Sequence, residues 1–218
     1  MTAEKPAKLL VASSNPGKLR EYQALAAGHP IELALFPDFD SLPGFDESAS
    51  TFAENAAGKA LHYSRFADSP VIADDSGLVV PALGGAPGPK SARYAGANAS
   101  DADRVQKLLA ELREQNIQQP AARFVCALAL ADRGRVLAVF SDFVEGTLLD
   151  APRGSSGFGY DPIFFFEPLG KTFAELAREQ KNQHSHRGKA FRKLLQFLRQ
   201  GLWGRTALRS YGRQRRTR

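Results

Sequence analysis

Ile72-Ala-Asp-Asp-Ser-Gly-Leu78 decides the reading of this chain, because the apolar run 70–73 stops at two adjacent carboxylates. Apolar residues followed by acids and a Ser-Gly turn predict a buried strand that delivers charge at its tip. In open α/β sheets ligands bind outside strand ends, which puts Asp74 and Asp75 where a divalent cation and its substrate would sit. Successive strand residues point to opposite faces, so the two acids are expected to do different jobs. Asp, Ser and Gly are also ordinary turn formers, and the stretch takes its meaning from its surroundings.

Upstream, residues 8–13 read as a short strand that Ser14-Asn-Pro-Gly17 turns into a helix starting near Pro16, a residue suited to a first helical position. Leu19, Tyr22, Leu25 and Ala26 give that helix a buried face, and Gly28 ends it. A small-residue turn at such a junction is expected to leave backbone N–H groups free at the positive end of the helix dipole. That arrangement attracts phosphate, and Lys18 adds a full charge beside it. The spacing of a P-loop NTPase is absent. Residues 31–36 read as a second strand, followed by a long loop, 37–50, with Asp38, Asp40, Asp46 and Glu47. Thr51-Phe-Ala-Glu54 predicts a capping box opening a helix to about Phe66, on which Glu54, Asn55 and Lys59 face either the loop acids or solvent.

Downstream, residues 78–83 read as a hairpin partner of the central strand, and 84–89 as a turn-rich connection. Ser100 caps an amphipathic helix with Val105, Leu108, Leu109 and Leu112 on one side. Residues 121–131 and 136–144 are two strands joined at Asp132-Arg-Gly134, expected to build a second lobe. Residues 154–162 form a glycine-rich loop whose Phe158 and Tyr160 can lie flat on a planar base, and a strand follows at 163–166. The last helix starts at Ser185-His-Arg187 and buries Phe191, Leu194, Leu195 and Leu198, with Lys181 one turn upstream. Cations are disfavoured at a helix N-terminus, so a bound anion is expected there.

With 218 residues and 43% hydrophobic content, the chain can build its core without staples. The net charge of +6 is local: seven of the 29 basic residues lie in 199–218, which holds no acid, leaving 22 against 23 acids elsewhere. The expectation is one domain over 1–200 and a basic, disordered tail over 201–218, with weak nucleic-acid binding confined to the tail. Cys126, the single cysteine, lies in an apolar run and reads as a core residue of an intracellular protein. No apolar run approaches a membrane span, and residues 1–8 lack the core of a signal peptide, so a cytoplasmic location is expected.

Ser13-Ser-Asn-Pro-Gly-Lys18, Thr51-Phe-Ala-Glu-Asn-Ala-Ala-Gly-Lys59, Ala73-Asp-Asp-Ser-Gly-Leu78, Gly84-Gly-Ala-Pro-Gly88, Ser91-Ala-Arg-Tyr94, Gly157-Phe-Gly-Tyr-Asp-Pro162 and Ser185-His-Arg187, in this order, resemble the inosine triphosphate pyrophosphatase family. Its members hydrolyse non-standard purine nucleoside triphosphates such as ITP, dITP and XTP to monophosphate and pyrophosphate. The resemblance spans residues 9–198. It implies an α/β fold, an elongated two-lobed mixed sheet flanked by helices with the active-site cleft between the lobes, and it implies Mg²⁺ and a homodimer. It further implies that Asp75 is the metal-linked general base, that Lys59 works with Ser13, Ser14, Asn15, Pro16, Gly17 and Lys18 on the phosphates, and that Ser76 contacts substrate. Phe158, Gly159, Tyr160, Asp161, Lys181, His186 and Arg187 would surround the nucleotide. The family usually shows two consecutive glutamates before the Thr-Phe helix, whereas this chain has Asp46-Glu47, and either could ligate the metal with Asp75. Gln180 stands where the family often has Glu.

The chemistry agrees with the resemblance. A triphosphate repels a nucleophile, so a cation and lysines must neutralise it while a carboxylate activates water. A guanidinium only donates, so Arg187 is expected to pair with a 6-keto oxygen and to reject the 6-amino group of adenine. An aspartyl-phosphate phosphatase would want Asp-x-Asp rather than adjacent acids. A non-catalytic nucleic-acid binder leaves the cleft acids unexplained, since they repel a phosphate backbone. A pyrophosphatase of the same fold acting on other modified nucleotides remains an open alternative.

Overall fold

In the computed structural model, which describes residues 7–36 and 38–200, β1 (Ala7–Val11) and β2 (Ile31–Leu35) pair in parallel across the crossover helix α1 (Pro16–Ala26). Helix α2 (Phe52–Tyr63) then returns the chain to the other side of β1, where β3 (Val71–Val79) joins in parallel. The remaining elements are α3 (Asp101–Glu114), β4 (Ala121–Asp132), β5 (Arg135–Leu148), β6 (Phe164–Phe166), β7 (Lys171–Thr172), α4 (Arg178–His184) and α5 (His186–Arg199). The seven strands form one mixed sheet in the order β2-β1-β3-β4-β5-β6-β7, antiparallel from β3 onward. Strand order reverses at β1, so a crevice opens beyond its C-terminal end.

The caps explain where helices begin. Asn15, Thr51, Ser100 and Ser185 each accept a backbone N–H of the first turn, and Ser100 forms a reciprocal capping box with Asp103. At Thr51 the box is not reciprocal, because the Glu54 carboxylate bonds the Thr51 hydroxyl rather than its backbone.

The central strand departs from the sequence reading. β3 does not stop at Ala73 but runs through both acids to Val79, because β4 pairs with its whole length from Val71↔Ala131 to Val79↔Arg123. β1 stops pairing at Val11↔Ile72, so the acids do lie beyond a strand end, that of the neighbour. Residues 78–83 are not a hairpin partner: β3 ends at Val79 and a short 3-10 turn, Pro81–Leu83, follows. Gly77 makes this continuation possible, since a Cβ there would lie 2.3 Å from Ser91 Oγ and 2.6 Å from the Gly88 carbonyl.

Alternation along β3 and β4 sorts the core. One face carries Ile72, Cys126, Leu128 and Leu130 against Tyr22, Phe191 and Leu194 of α1 and α5. The opposite face carries Val71, Ala73, Ala127, Ala129 and Ala131 under Ala56, Ala60 and Tyr63 of α2. A further cluster, around Leu78, Leu108, Phe124, Phe164 and Phe173, forms the core of the second lobe. Cys126 is fully buried, which pushes its thiol up to about 12. Among the described residues no helix is long and apolar enough to cross a membrane. The tail expected over 201–218 lies outside the described residues.

Candidate active site

A cavity of about 450 Å³ opens where β3 outruns β1, between the two lobes. Ser13, Ser14, Asn15, Lys18, Glu47, Lys59, Asp75, Ser76, Phe158, Gly159, Tyr160, Asp161, Lys181, His186 and Arg187 all line it. Of the site residues named in the sequence, Pro16, Gly17 and Asp46 do not, and neither does Asp74, the other acid of the pair. Asp46 is exposed on the loop, whereas Glu47 turns inward and pairs with Lys59. Gly17 lies behind the wall, where a Cβ would come within 2.6 Å of the Phe158 ring.

Asp74 and Asp75 point to opposite faces of β3, as strand alternation requires, and meet different company. Asp74 Oδ2 pairs with Lys18 Nζ at 3.0 Å and accepts the Ser76 hydroxyl at 3.1 Å, with Arg187 Nη2 at 3.5 Å. Burial pushes its carboxyl up, but Lys18, Arg187 and Lys59 together outweigh it and hold Asp74 well below the usual carboxylate range. Asp75 Oδ2 accepts from Asn55 Nδ2 at 2.9 Å, and its Oδ1 from the Ser76 N–H at 2.9 Å. Here burial prevails: the Asn55 bond and Lys18 work against it, Glu47 adds to it, and Asp75 is pushed up to about 6. The Lys18 and Lys59 ammonium groups converge on the Asp74 carbonyl at 3.5 and 3.3 Å, flanking Asp75 with positive charge.

The other wall is a buried charge network. Arg187 bonds Glu21 and donates to Ser76 Oγ at 2.8 Å, and Lys181 reaches Glu21 at 2.7 Å and Asp161 more closely. Burial disfavours the Glu21 charge, yet Arg187 and Lys181 lower its carboxyl overall. His186 stacks on Phe124 with ring centroids 4.9 Å apart and planes 11° off parallel. Burial, then repulsion by Arg187 and Lys181, drives its imidazole well below the ordinary value, so it is neutral, and its Nδ1 has no partner.

Three expectations about local chemistry need correction. The first-turn N–H groups of Gly17 and Lys18 are not free but bonded to Asn15 Oδ1 at 2.9 and 3.2 Å, because Asn is itself a strong helix cap. Positive charge for an anion comes there from Lys18. The cation at the start of α5 needs no bound anion, since Glu21 and Asp74 already answer Arg187. Tyr160 is not an exposed stacking ring: it is buried and donates its hydroxyl to the Ser91 carbonyl at 3.0 Å, leaving half-buried Phe158 as the aromatic wall.

Sequence reasoning missed Glu21, the acid that organises Lys181 and Arg187. Its signal was position: it falls between Gly17 and Leu25 at helical spacing, on the buried side of α1. Asn55, expected to face the loop acids or solvent, is buried and meets neither: it bonds the loop backbone at Ala49 and donates to Asp75.

A metal would meet oxygen donors here. Glu47 and Asp75 share the cavity wall, and the Glu47 charge contributes to the raised carboxyl of Asp75, a repulsion that a divalent cation between them would relieve. Among the described residues no group of three or more His, Cys, Asp or Glu gathers that could hold a metal ion, so Glu47 and Asp75 are the two carboxylates the cavity offers together.

The model of the Ham1 family matches residues 9–197. A dITP/XTP pyrophosphatase of Geobacillus kaustophilus is 52% identical over 187 residues, covering 86% of this chain and 92% of its own length. A second, from Syntrophobacter fumaroxidans, is 48% identical over 186 residues, with 85% and 79% covered. Among solved structures, a HAM1 protein from Coxiella burnetii matches with a TM-score of 0.79 at 41% identity, over 89% of this chain and 99% of its own. The Staphylococcus aureus Ham1 protein matches at 0.77 and 38%, over 88% and 98%.

Proposed function

The chain belongs to the Ham1 family, and from that premise we propose how its cavity divides the work of a nucleoside triphosphate pyrophosphatase. The protein hydrolyses non-standard purine nucleoside triphosphates, dITP and XTP among them, to the monophosphate and pyrophosphate. The observation that carries the proposed mechanism is the separation of two neighbouring carboxylates: Asp74 is turned to Lys18 and Arg187, which keep it ionised, while Asp75 lines the cavity from the opposite face of β3 and, with no cation bound, is pushed up to about 6. Two titratable groups driven apart by their environments mark distinct roles, and a base near the working pH is the efficient one.

Asp75 takes the proton of the attacking water, and cleavage of the bridge between the α and β phosphates releases pyrophosphate. Asn55 and the Ser76 amide hold the Asp75 carboxylate in place for that transfer. Asp74 stays charged throughout and aligns Lys18 and Ser76. Lys18, with Ser13, Ser14 and Asn15, binds the phosphate chain from the α1 side, and Lys59 binds it from α2. Phe158 provides a face for the base, and Lys181, His186 and Arg187 line its edge. Glu47 and Asp75 would hold the cation, which we take to be Mg²⁺ from the oxygen donor set. When bound, it neutralises phosphate charge and helps to generate the nucleophile.

The same reading includes a homodimer and a cytoplasmic location. The first is supported by the exposed Val136, Val139 and Phe143 on β5, apolar surface that a second copy would cover. The second is supported by the single, buried, unpaired cysteine. The deciding experiment is a panel of ITP, dITP, XTP and the ordinary triphosphates with Mg²⁺, scoring pyrophosphate and orthophosphate separately. Pyrophosphate from the non-standard purines is expected, and orthophosphate as the first product would overturn the assignment.

A further inference from the structure

We propose that Asp101, on the far rim of the cavity, is a positioning residue that sets the orientation of Phe158. The proposal rests on the pyrophosphatase reading and deepens it, because it names what fixes the ring that the base would meet. The peptide N–H groups on the two sides of that ring are each held by a carboxylate. Phe158 N–H donates to Asp161 Oδ2 at 2.8 Å, and Gly159 N–H to Asp101 Oδ2 at 2.7 Å. The two acids come from different elements, Asp161 from the loop itself three residues on and Asp101 from the first turn of α3, with Asp161 anchored by Lys181 and Asp101 by Arg104.

Asp101 is not needed to cap its own helix. Ser100 and Asp103 already satisfy the start of α3 as a reciprocal capping box, so the Asp101 carboxylate is left for other partners. Arg104, which orients it, also donates to the Ala92 carbonyl at 2.9 Å and the Ala99 carbonyl at 2.6 Å, tying the rim segment 92–99 to α3. Tyr160 adds a second link from the loop to this rim through the Ser91 carbonyl. The loop and the rim therefore form one clamp. Its product is the placement of the Phe158 ring, with Lys181 Nζ 4.8 Å and the Arg187 guanidinium 5.5 Å from its centroid.

A clamp of this kind acts on binding rather than on bond breaking. Losing a charge-assisted hydrogen bond at a carboxylate that is 45% exposed is expected to raise KM about 5- to 10-fold and to change kcat less than about twofold. The test compares the full-length protein with Asp101→Ala and Asp101→Asn, using dITP kinetics and amide hydrogen exchange over residues 154–161 without nucleotide. Asp101→Ala should raise KM and speed exchange in the loop while exchange in α3 is unchanged. Asp101→Asn keeps an acceptor oxygen and should restore most of both. Wild-type KM and wild-type loop exchange in Asp101→Ala would overturn the proposal. So would faster exchange throughout α3, which would make Asp101 a helix stabiliser. If the wild-type protein released no pyrophosphate from dITP, the pyrophosphatase reading would fail, and the exchange measurement would still decide the clamp.

Discussion

Asp75→Asn should make the protein more stable at pH 8 while removing its activity, and both effects follow from one carboxyl raised from 3.8 to about 6. Above pH 6 the native Asp75 is charged in a buried place, whereas in the unfolded chain its charge is solvated. The ionised group therefore destabilises the fold by about 3 kcal/mol, at 1.36 kcal/mol for each pKa unit. That penalty is complete above pH 6, shrinks as pH falls from 6 to 4, and vanishes below 4, where both states are protonated. Asparagine escapes it at every pH. It has only one acceptor oxygen for the Asn55 and Ser76 donors, an offset of about 1 kcal/mol, so a net gain of about 2 kcal/mol is expected at pH 8. For a chain of this size the gain corresponds to roughly 4 to 8 °C in Tm.

Calorimetric melts of both proteins from pH 4 to pH 8, with a chelator present so that no divalent cation offsets the charge, give the comparison. A variant less stable than wild type at pH 8, or a gain that does not change with pH, would refute the reasoning. In the same protein the loss of turnover should be about 10² to 10⁴-fold, the range for removal of a general base. The wild-type pH profile of kcat/KM should fall tenfold per unit below the Asp75 ionisation, which a bound cation draws below its metal-free position of about 6. Persistence of that limb in the variant would assign the base to another group.

Glu47→Gln should lower the acid limb of the wild-type profile, because the Glu47 charge helps to raise Asp75, and should increase the Mg²⁺ concentration needed for half-maximal rate. Asp46→Asn should change neither, and metal titrations of the two variants separate them. Arg187→Ala should narrow the ratio of kcat/KM for ITP over ATP, whereas Phe158→Ala weakens both in proportion; equal losses for the two nucleotides in the arginine variant would place base reading elsewhere. Arg187→Ala should also destabilise the fold by about 3 kcal/mol in urea titration, since Glu21 loses one of its two buried cations. Gly77→Ala should cost about 1 to 3 kcal/mol, because its Cβ collides with Ser91 and the Gly88 carbonyl, and an unchanged denaturation midpoint would contradict that contact.

The parts of the fold that local rules govern were legible in the sequence. Thr51 and Ser100 start helices because their side chains accept first-turn N–H groups, a choice made within three residues, and the same local rule, had it been applied to Asn15, accounts for the first turn of α1. The opposed duties of Asp74 and Asp75 follow from the two-residue period of a strand. The extent of β3 was not legible, because Asp, Ser and Gly favour turns locally, and it is the pairing with β4, about fifty residues later, that keeps them extended. Glu21 escaped for the same reason on a larger scale: its bond to Arg187 spans 166 positions, and α1 alone shows only an acid where an apolar residue would be cheaper. That anomaly has physical content. A carboxylate on a buried helix stripe must find a cation or give up its charge, and two cations, Lys181 and Arg187, sit on the segment 181–187 with no acid among them. Matching an unexplained buried acid to unexplained buried cations is therefore a rule that reaches across the chain where periodicity cannot, and here it joins α1 to the start of α5 through the wall of the cavity.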